Sequence, residues 1–279
     1  MDDGDLRPGW QLGISSYTYT WAIGVPGHPV DAPLSVWGLL EQAQALGVAV
    51  VQYADNLPLD QLAPDELTRL AQEATAGGIG LEVGTRGIDP AHLRRNLRVA
   101  AEVGSPLVRV VIDQGGHEPG LDEVVATLRP LLPDFAAAGV ILAIENHDRF
   151  HAATLVMLMQ QLDSPWVGIC LDTVNSLGAL EGPTAVVEAL GPYTVNLHIK
   201  DFAIRRVDHQ MGFVVEGRPA GKGMLDVPWL LDVLAAQRGP CRAIVELWTP
   251  PQATLAETIV LEAAWAHTSV VKLRRWIGG

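Results

Sequence analysis

The chain has 279 residues, enough for one large barrel or two modest domains. Apolar residues make up 48% and charged residues only 18%, which excludes a disordered chain and favours a well-packed globular one. The formal net charge is −13, and no basic cluster offsets it, which argues against a nucleic-acid partner.

Residues 1–9 read as a flexible lead-in to a single domain over 1–279. The stretch Met1-Asp2-Asp3-Gly4-Asp5 lacks a basic-then-apolar leader pattern. No apolar run approaches the roughly 20 residues of a membrane span. The first strand is Gln11 to Ser16, opening into the aromatic segment Tyr17-Thr18-Tyr19-Thr20-Trp21. A helix over Ser35 to Leu46 stops at Gly47, and Val48 to Gln52 is the second strand. Pro64 to Ala76 is helical, Ile79 to Val83 is the third strand, and Pro90 to Val103 is the next helix. Leu107 to Ile112 is strand four, and Leu121 to Ala138 is a helix that Pro130 and Pro133 kink or split.

Val140 to Glu145 is strand five, Ala152 to Leu162 a helix, and Trp166 to Asp172 strand six. Pro183 to Leu190 is helical and Thr194 to Lys200 is strand seven. Phe202 to Asp226 is a glycine-rich excursion, suited to a lid or to a contact in a homo-oligomer. Val227 to Ala236 is helical, Arg242 to Leu247 is strand eight, and Thr254 to Arg274 is the final helix. Near-continuous apolar strands alternating with helices belong to a parallel sheet covered on both sides. Eight such units predict an α/β fold, a (β/α)8 TIM barrel. No Gly-x-Gly-x-x-Gly follows the first strand, so a dinucleotide-binding open sheet has no support. The two cysteines, Cys170 and Cys241, fall in predicted core strands and read as reduced packing residues, which places the protein in the cytoplasm.

Four strands end in polar groups: Glu145, Asp172, His198 and Glu246. Along Val195 to Asp201, alternation puts Asn196, His198 and Lys200 on one face, a costly arrangement in a core strand unless something uses it. In a barrel the C-terminal strand ends carry the chemistry. Three carboxylates and one imidazole there suit one divalent cation, Mn²⁺ first, with Mg²⁺, Co²⁺ and Zn²⁺ as alternatives. A single carboxylate after a strand is more often a cap or a loop salt bridge; four at one height carry the argument together. Lys200 either neutralises these carboxylates or takes part in catalysis.

At these residues the chain resembles the xylose isomerase-like TIM-barrel superfamily, the sugar phosphate isomerase/epimerase type. The resemblance rests on Ala143-Ile144-Glu145-Asn146-His147, Cys170-Leu171-Asp172-Thr173-Val174-Asn175-Ser176, His198-Ile199-Lys200-Asp201, Gly221-Lys222-Gly223-Met224-Leu225-Asp226 and Val245-Glu246. It implies one metal held by Glu145, Asp172, His198 and Glu246, with Glu145 and Glu246 also moving protons on opposite faces of the substrate. Ketose epimerases of this type often carry a histidine where Asn175 stands and an arginine beyond the His198 position. The His-x-Lys-Asp run here is closer to the inosose isomerase and inosose dehydratase branch. Apurinic endonucleases share the barrel but use a histidine-rich three-zinc cluster, which Asn175 and the adjacent Asp208-His209 do not match.

The expected activity is therefore a metal-dependent isomerase or epimerase of a small sugar, keto-sugar or keto-inositol, working through an enediolate. A dehydratase of the inosose or 3-dehydroshikimate kind is the alternative on the same scaffold, and a non-catalytic sugar-binding barrel is the non-enzymatic one. Expected catalytic groups are Glu145, Glu246 and Lys200. His147, Tyr17, Trp21, Arg86, His117 and Trp248 are the candidate contacts to a small polyhydroxylated substrate.

Overall fold

The computed structural model describes residues 6–277. Eight parallel strands close into a barrel, and a two-stranded antiparallel hairpin stands beside it. The strands are β1 (Gln11–Ser15), β2 (Val50–Tyr53), β3 (Gly80–Arg86), β4 (Leu107–Val111), β5 (Ile141–Glu145), β6 (Val167–Asp172) and β7 (Thr194–Ile199). The hairpin is β8 (Asp201–Arg206) and β9 (Phe213–Arg218), and the chain then returns as β10 (Arg242–Val245). β10 pairs with β7 on one side and β1 on the other, so the hairpin is an insertion between the seventh and eighth barrel strands. The expected eight-unit barrel is thus what the chain forms.

The helices are α1 (Thr20–Ile23), α2 (Val36–Leu46), α3 (Pro64–Ala76), α4 (Pro90–Val103), α5 (Leu121–Leu128), α6 (Leu132–Ala138), α7 (Ala152–Leu162), α8 (Pro183–Leu190), α9 (Val227–Gln237) and α10 (Leu255–Leu273). Their limits follow from local chemistry. The Ser35 hydroxyl accepts from Gly38 N at 3.1 Å to start α2, and Asp89 accepts from His92 N at 2.8 Å to start α4. Gly47, Gly104 and Gly139 end α2, α4 and α6 in the left-handed region. Pro130 and Pro133 divide the fifth helical segment: a 3-10 turn at Arg129–Leu131 separates α5 from α6. Apolar helix faces and outward strand residues form one continuous core, with Leu39, Leu70, Leu93, Leu128, Phe135 and Leu230 fully enclosed. Among the described residues no helix is long and apolar enough to cross a membrane.

Three local expectations change. Residues 1–5 of the expected lead-in lie outside the described residues, but Arg7 bridges to Ile277 and its guanidinium pairs with Asp232, so the chain is tied down from there. Cys241 precedes β10 and is only partly buried, while Cys170 lies buried within β6. The glycine-rich excursion begins as the β8–β9 hairpin and ends in a loop wrapped on Asp201. The Asp201 carboxylate accepts from the backbone N–H of Phe202, Gly221, Gly223 and Leu225 at 2.8–3.0 Å. A Cβ on Gly223 would lie 2.2 Å from Asp201 Oδ1, so the Gly-Lys-Gly motif is required by this close approach.

Candidate metal centre

The C-terminal mouth of the barrel brings together Glu145 at the end of β5, Asp172 at the end of β6, His198 on β7 and Glu246 just past β10. All four are fully enclosed. His198 Nδ1 lies 3.5 Å from Glu145 Oε2, 3.8 Å from Asp172 Oδ2 and 3.5 Å from Glu246 Oε1. One ligand atom from each of Asp172, His198 and Glu246 lies within 4.8 Å of the others, and the same holds for Glu145, Cys170 and His198.

Each carboxylate is oriented by neighbours. Asp172 Oδ1 accepts from the N–H of Val174 and Asn175, both at 2.9 Å, leaving Oδ2 aimed at the centre. Glu246 Oε1 accepts from the Ser15 hydroxyl at 2.8 Å. Glu145 Oε1 accepts from Asn175 Nδ2 at 2.7 Å, and its Oε2 accepts from Arg109 Nε. Lys200 Nζ sits 2.8 Å from Asp172 Oδ2 and 2.9 Å from Glu246 Oε2, forming an ion pair with each.

The imidazole is fixed from below. β2 and β7 are not neighbours in the barrel, so the contact between Gln52 and His198 crosses its interior. Gln52 Nε2 donates to Glu82 Oε2 at 3.0 Å, and a carboxylate can only accept, so Gln52 Oε1 must be the end that faces His198 at 2.8 Å. His198 Nε2 therefore carries a proton, and Nδ1 faces the carboxylates. Asn196 and Arg242 complete the satisfaction of the buried Glu82.

Three enclosed ligand atoms converge, Asp172 Oδ2, His198 Nδ1 and Glu246 Oε2; Lys200 counters the two oxygens, and the nitrogen has no hydrogen-bond partner. A buried imidazole nitrogen without a partner, facing carboxylates that share a single ammonium, makes a donor set suited to a cation. Two carboxylate oxygens and an imidazole nitrogen fit a divalent ion, and the second nitrogen of that imidazole already has the outer partner such ligands need. The residues present thus fit a divalent metal.

The electrostatics agree with this. Burial alone would raise the Glu145 carboxyl, but Arg109, His198 and Lys200 outweigh it and hold the group below its ordinary range. The same contest leaves Glu246 at about 2, with His198, Lys200 and Arg109 overcoming burial. Burial would strip the charge from Lys200, yet the facing Asp172 and Glu246 hold its pKa above the ordinary lysine value.

Above the centre opens a cavity of about 450 Å³. Of the anticipated contact residues, Tyr17, Trp21, Arg86, His147 and Trp248 line it, together with Glu145 and Lys200. His117 does not: it is exposed beyond the cavity, its ring 2.9 Å from Glu123 Oε1, because the Gln114–His117 bridge turns its loop outward. Tyr17 donates to Asp55 Oδ2 at 3.0 Å, and Arg86 reaches the same oxygen at 3.3 Å. Arg109, Asp55, Gln52 and Glu82 are candidate-site residues that pattern reading misses, while Asn175 enters that reading only through the resemblance. The available signal was a lone polar residue at inward parity in an apolar strand, as in Leu107-Val108-Arg109-Val110.

Residues 40–265 match the model of the xylose isomerase-like TIM barrel. The chain is 36% identical over 259 residues to 3-oxo-isoapionate decarboxylase of Pectobacterium atrosepticum, covering 93% of each protein. Among solved structures, D-psicose 3-epimerase with D-tagatose from Clostridium cellulolyticum H10 superposes with a TM-score of 0.70 at 16% identity, over 94% of this chain and 96% of that one. A xylose isomerase-like TIM barrel protein from Mycobacterium smegmatis in complex with magnesium gives 0.67 at 15% identity, over 95% and 98%. At those identities the two structures share the fold. The extent of the family match and the 36% relative over nearly the whole chain establish that this protein belongs to the xylose isomerase-like TIM barrel family.

Proposed function

We propose that the chain is a divalent-metal-assisted enzyme that removes carbon dioxide from a small polyhydroxylated 3-oxo acid through an enediolate. The observation that carries this reading is the engagement of Glu145. A proton shuttle across two faces of a sugar needs two good proton acceptors, whereas the buried Arg109 guanidinium pairs with Glu145 and holds its carboxyl below the ordinary range, which weakens it as a base. Loss of carbon dioxide needs no such base. The bond between the carboxyl carbon and its neighbour breaks, its electron pair moves toward the 3-oxo oxygen, and a proton from water returns to carbon. The 36% relative, named as a 3-oxo-isoapionate decarboxylase, supports the same reading.

Asp172, His198 and Glu246 would hold the ion, with Glu145 beside them. Mn²⁺ is the proposed metal, and Mg²⁺, Co²⁺ and Zn²⁺ are the alternatives. When bound, it supplies Lewis acidity toward the substrate carbonyl. Lys200 Nζ lies at the cavity floor, placed to donate to the developing oxyanion. Arg86 at the rim pairs with the substrate carboxylate, and Trp21 and Trp248 give its carbon skeleton two apolar walls. The proposed setting is the cytoplasm, where the two unpaired cysteines stay reduced.

Isomerisation or epimerisation of a neutral sugar is the second reading, favoured by the Lys200 ammonium 2.9 Å from Glu246 Oε2, a proton carrier beside the second carboxylate. One experiment separates the two. Metal-loaded protein is given carboxyl-labelled 3-oxo-isoapionate, and in parallel ketoses and keto-inositols in deuterated water. Release of the label as carbon dioxide supports decarboxylation. Deuterium uptake with every carbon retained replaces it by the second reading, and neither result from folded, metal-loaded protein refutes both.

A further inference from the structure

The turn that carries Trp21 is held by a carboxylate that the proposed chemistry does not use. α1 is one helical turn of four residues, far too short to persist alone. The N–H groups of Trp21 and Ala22 lie in its first turn, where no intrahelical acceptor exists, and no side chain caps it from Tyr19. The acceptors come from α10, at the far end of the sequence: Glu262 Oε1 lies 2.9 Å from Trp21 N, and Oε2 lies 3.0 Å from Ala22 N.

Glu262 is 1% exposed, and among the described residues no lysine, arginine or histidine forms an ion pair with it. The titratable group that feels its charge is the Tyr19 phenol, pushed up to about 12 by burial and then by Glu262. An enclosed carboxylate without a cation is an expensive way to fill space between two helices. Burial raises Glu262 to about 7 even with its two N–H donors in place.

What these two bonds fix is a wall of the cavity. Trp21 lines it, and its indole Nε1 donates to the Thr249 carbonyl at 2.9 Å, beside Trp248. The Ala22 carbonyl accepts from Leu34 N at 2.9 Å, so the loop between β1 and α2 closes on the same residue. We infer that Glu262 is a positioning residue that latches the Trp21 turn to α10 and so holds one wall of the substrate cavity in shape.

The test compares wild type, Glu262→Ala and Glu262→Gln by amide hydrogen exchange and by ¹⁹F NMR of 5-fluorotryptophan protein, the Trp21 line being assigned with Trp21→Phe. In wild type the Trp21 and Ala22 amides are protected and Trp21 gives one sharp line. Glu262→Ala speeds exchange of those two amides at least tenfold and broadens or shifts the Trp21 line, while β5 and β6 amides keep their wild-type rates. Glu262→Gln, which keeps the bulk and one acceptor oxygen, restores part of both readouts. It also carries the test should the alanine variant not fold. Unchanged exchange at Trp21 and Ala22 in both variants overturns the latch. So does an equal acceleration across β5 and β6, which would mark Glu262 as a general stabiliser.

Discussion

Replacing Arg109 by methionine isolates the ion pair on which the reading of Glu145 depends. The substitution keeps an unbranched apolar stem and removes the guanidinium from between Glu145 and Asp55. Asp55 retains Arg86 at 3.3 Å and the Tyr17 hydroxyl at 3.0 Å, so the cost falls on Glu145, which keeps the Asn175 amide as its hydrogen-bond partner and loses its nearest full charge. Both members of the pair are about 2% exposed, and an uncompensated charge at such depth costs about 3–5 kcal/mol. For a chain of this size that corresponds to a melting temperature roughly 6–20 °C lower. Removing Arg109 also deletes the largest charge that opposes burial at Glu145, so its carboxyl rises from its lowered position. A carboxyl that titrates higher than in wild type makes the deficit shrink on acidification. The assay is urea unfolding of Arg109→Met, Glu145→Gln and the double variant. The double variant should be more stable than the sum of the singles predicts by at least about 1.5 kcal/mol. Strict additivity, or an Arg109→Met protein within about 1 kcal/mol of wild type, would refute the reasoning.

Four further outcomes are expected. Saturating Mn²⁺ should raise the melting temperature by roughly 5–10 °C at a hundredfold excess over its Kd, and EDTA should reverse it; His198→Ala should remove the effect in differential scanning calorimetry. Glu246→Gln should lower turnover at least about a hundredfold with an unchanged circular dichroism spectrum, because it removes the charge from a proposed ligand and its ion pair with Lys200; wild-type rates there would count heavily against the mechanism. Glu262 has a folded value of about 7 against an ordinary 4.5, so its contribution is full below pH 4.5 and is lost as pH rises toward 7, by about 3 kcal/mol; Glu262→Gln should flatten that slope in unfolding titrations. Asp201→Ala leaves four backbone N–H groups without their acceptor and should loosen the Gly221–Leu225 loop by about 2–4 kcal/mol, read as faster proteolysis there.

The barrel was legible because its signals are local. Runs such as Ile141-Leu142-Ala143-Ile144 have the length and branching of buried strands, and the helix limits at Pro90, Gly104 and Pro183 are written in single residues. The four strand-end groups were legible for the same reason: a polar residue closing an apolar strand stands out in the chain itself. Tyr17, Trp21, Arg86, His147 and Trp248 were within reach because they close barrel strands or lie in the segments that come after them, whereas His117 fails since its loop turns outward before the histidine.

The sequence by itself determined the periodicity, the number of strand–helix units and the identity of the polar strand ends, because each depends on neighbours a few residues apart. Only the tertiary structure decided which partners those ends take. Glu145 is engaged by Arg109 from 36 residues away, His198 is oriented by Gln52 from 146, and Trp21 is held by Glu262 from 241. Closure of the barrel sets such pairings: it brings distant strands and helices into hydrogen-bonding reach, and no local propensity encodes which of them will meet.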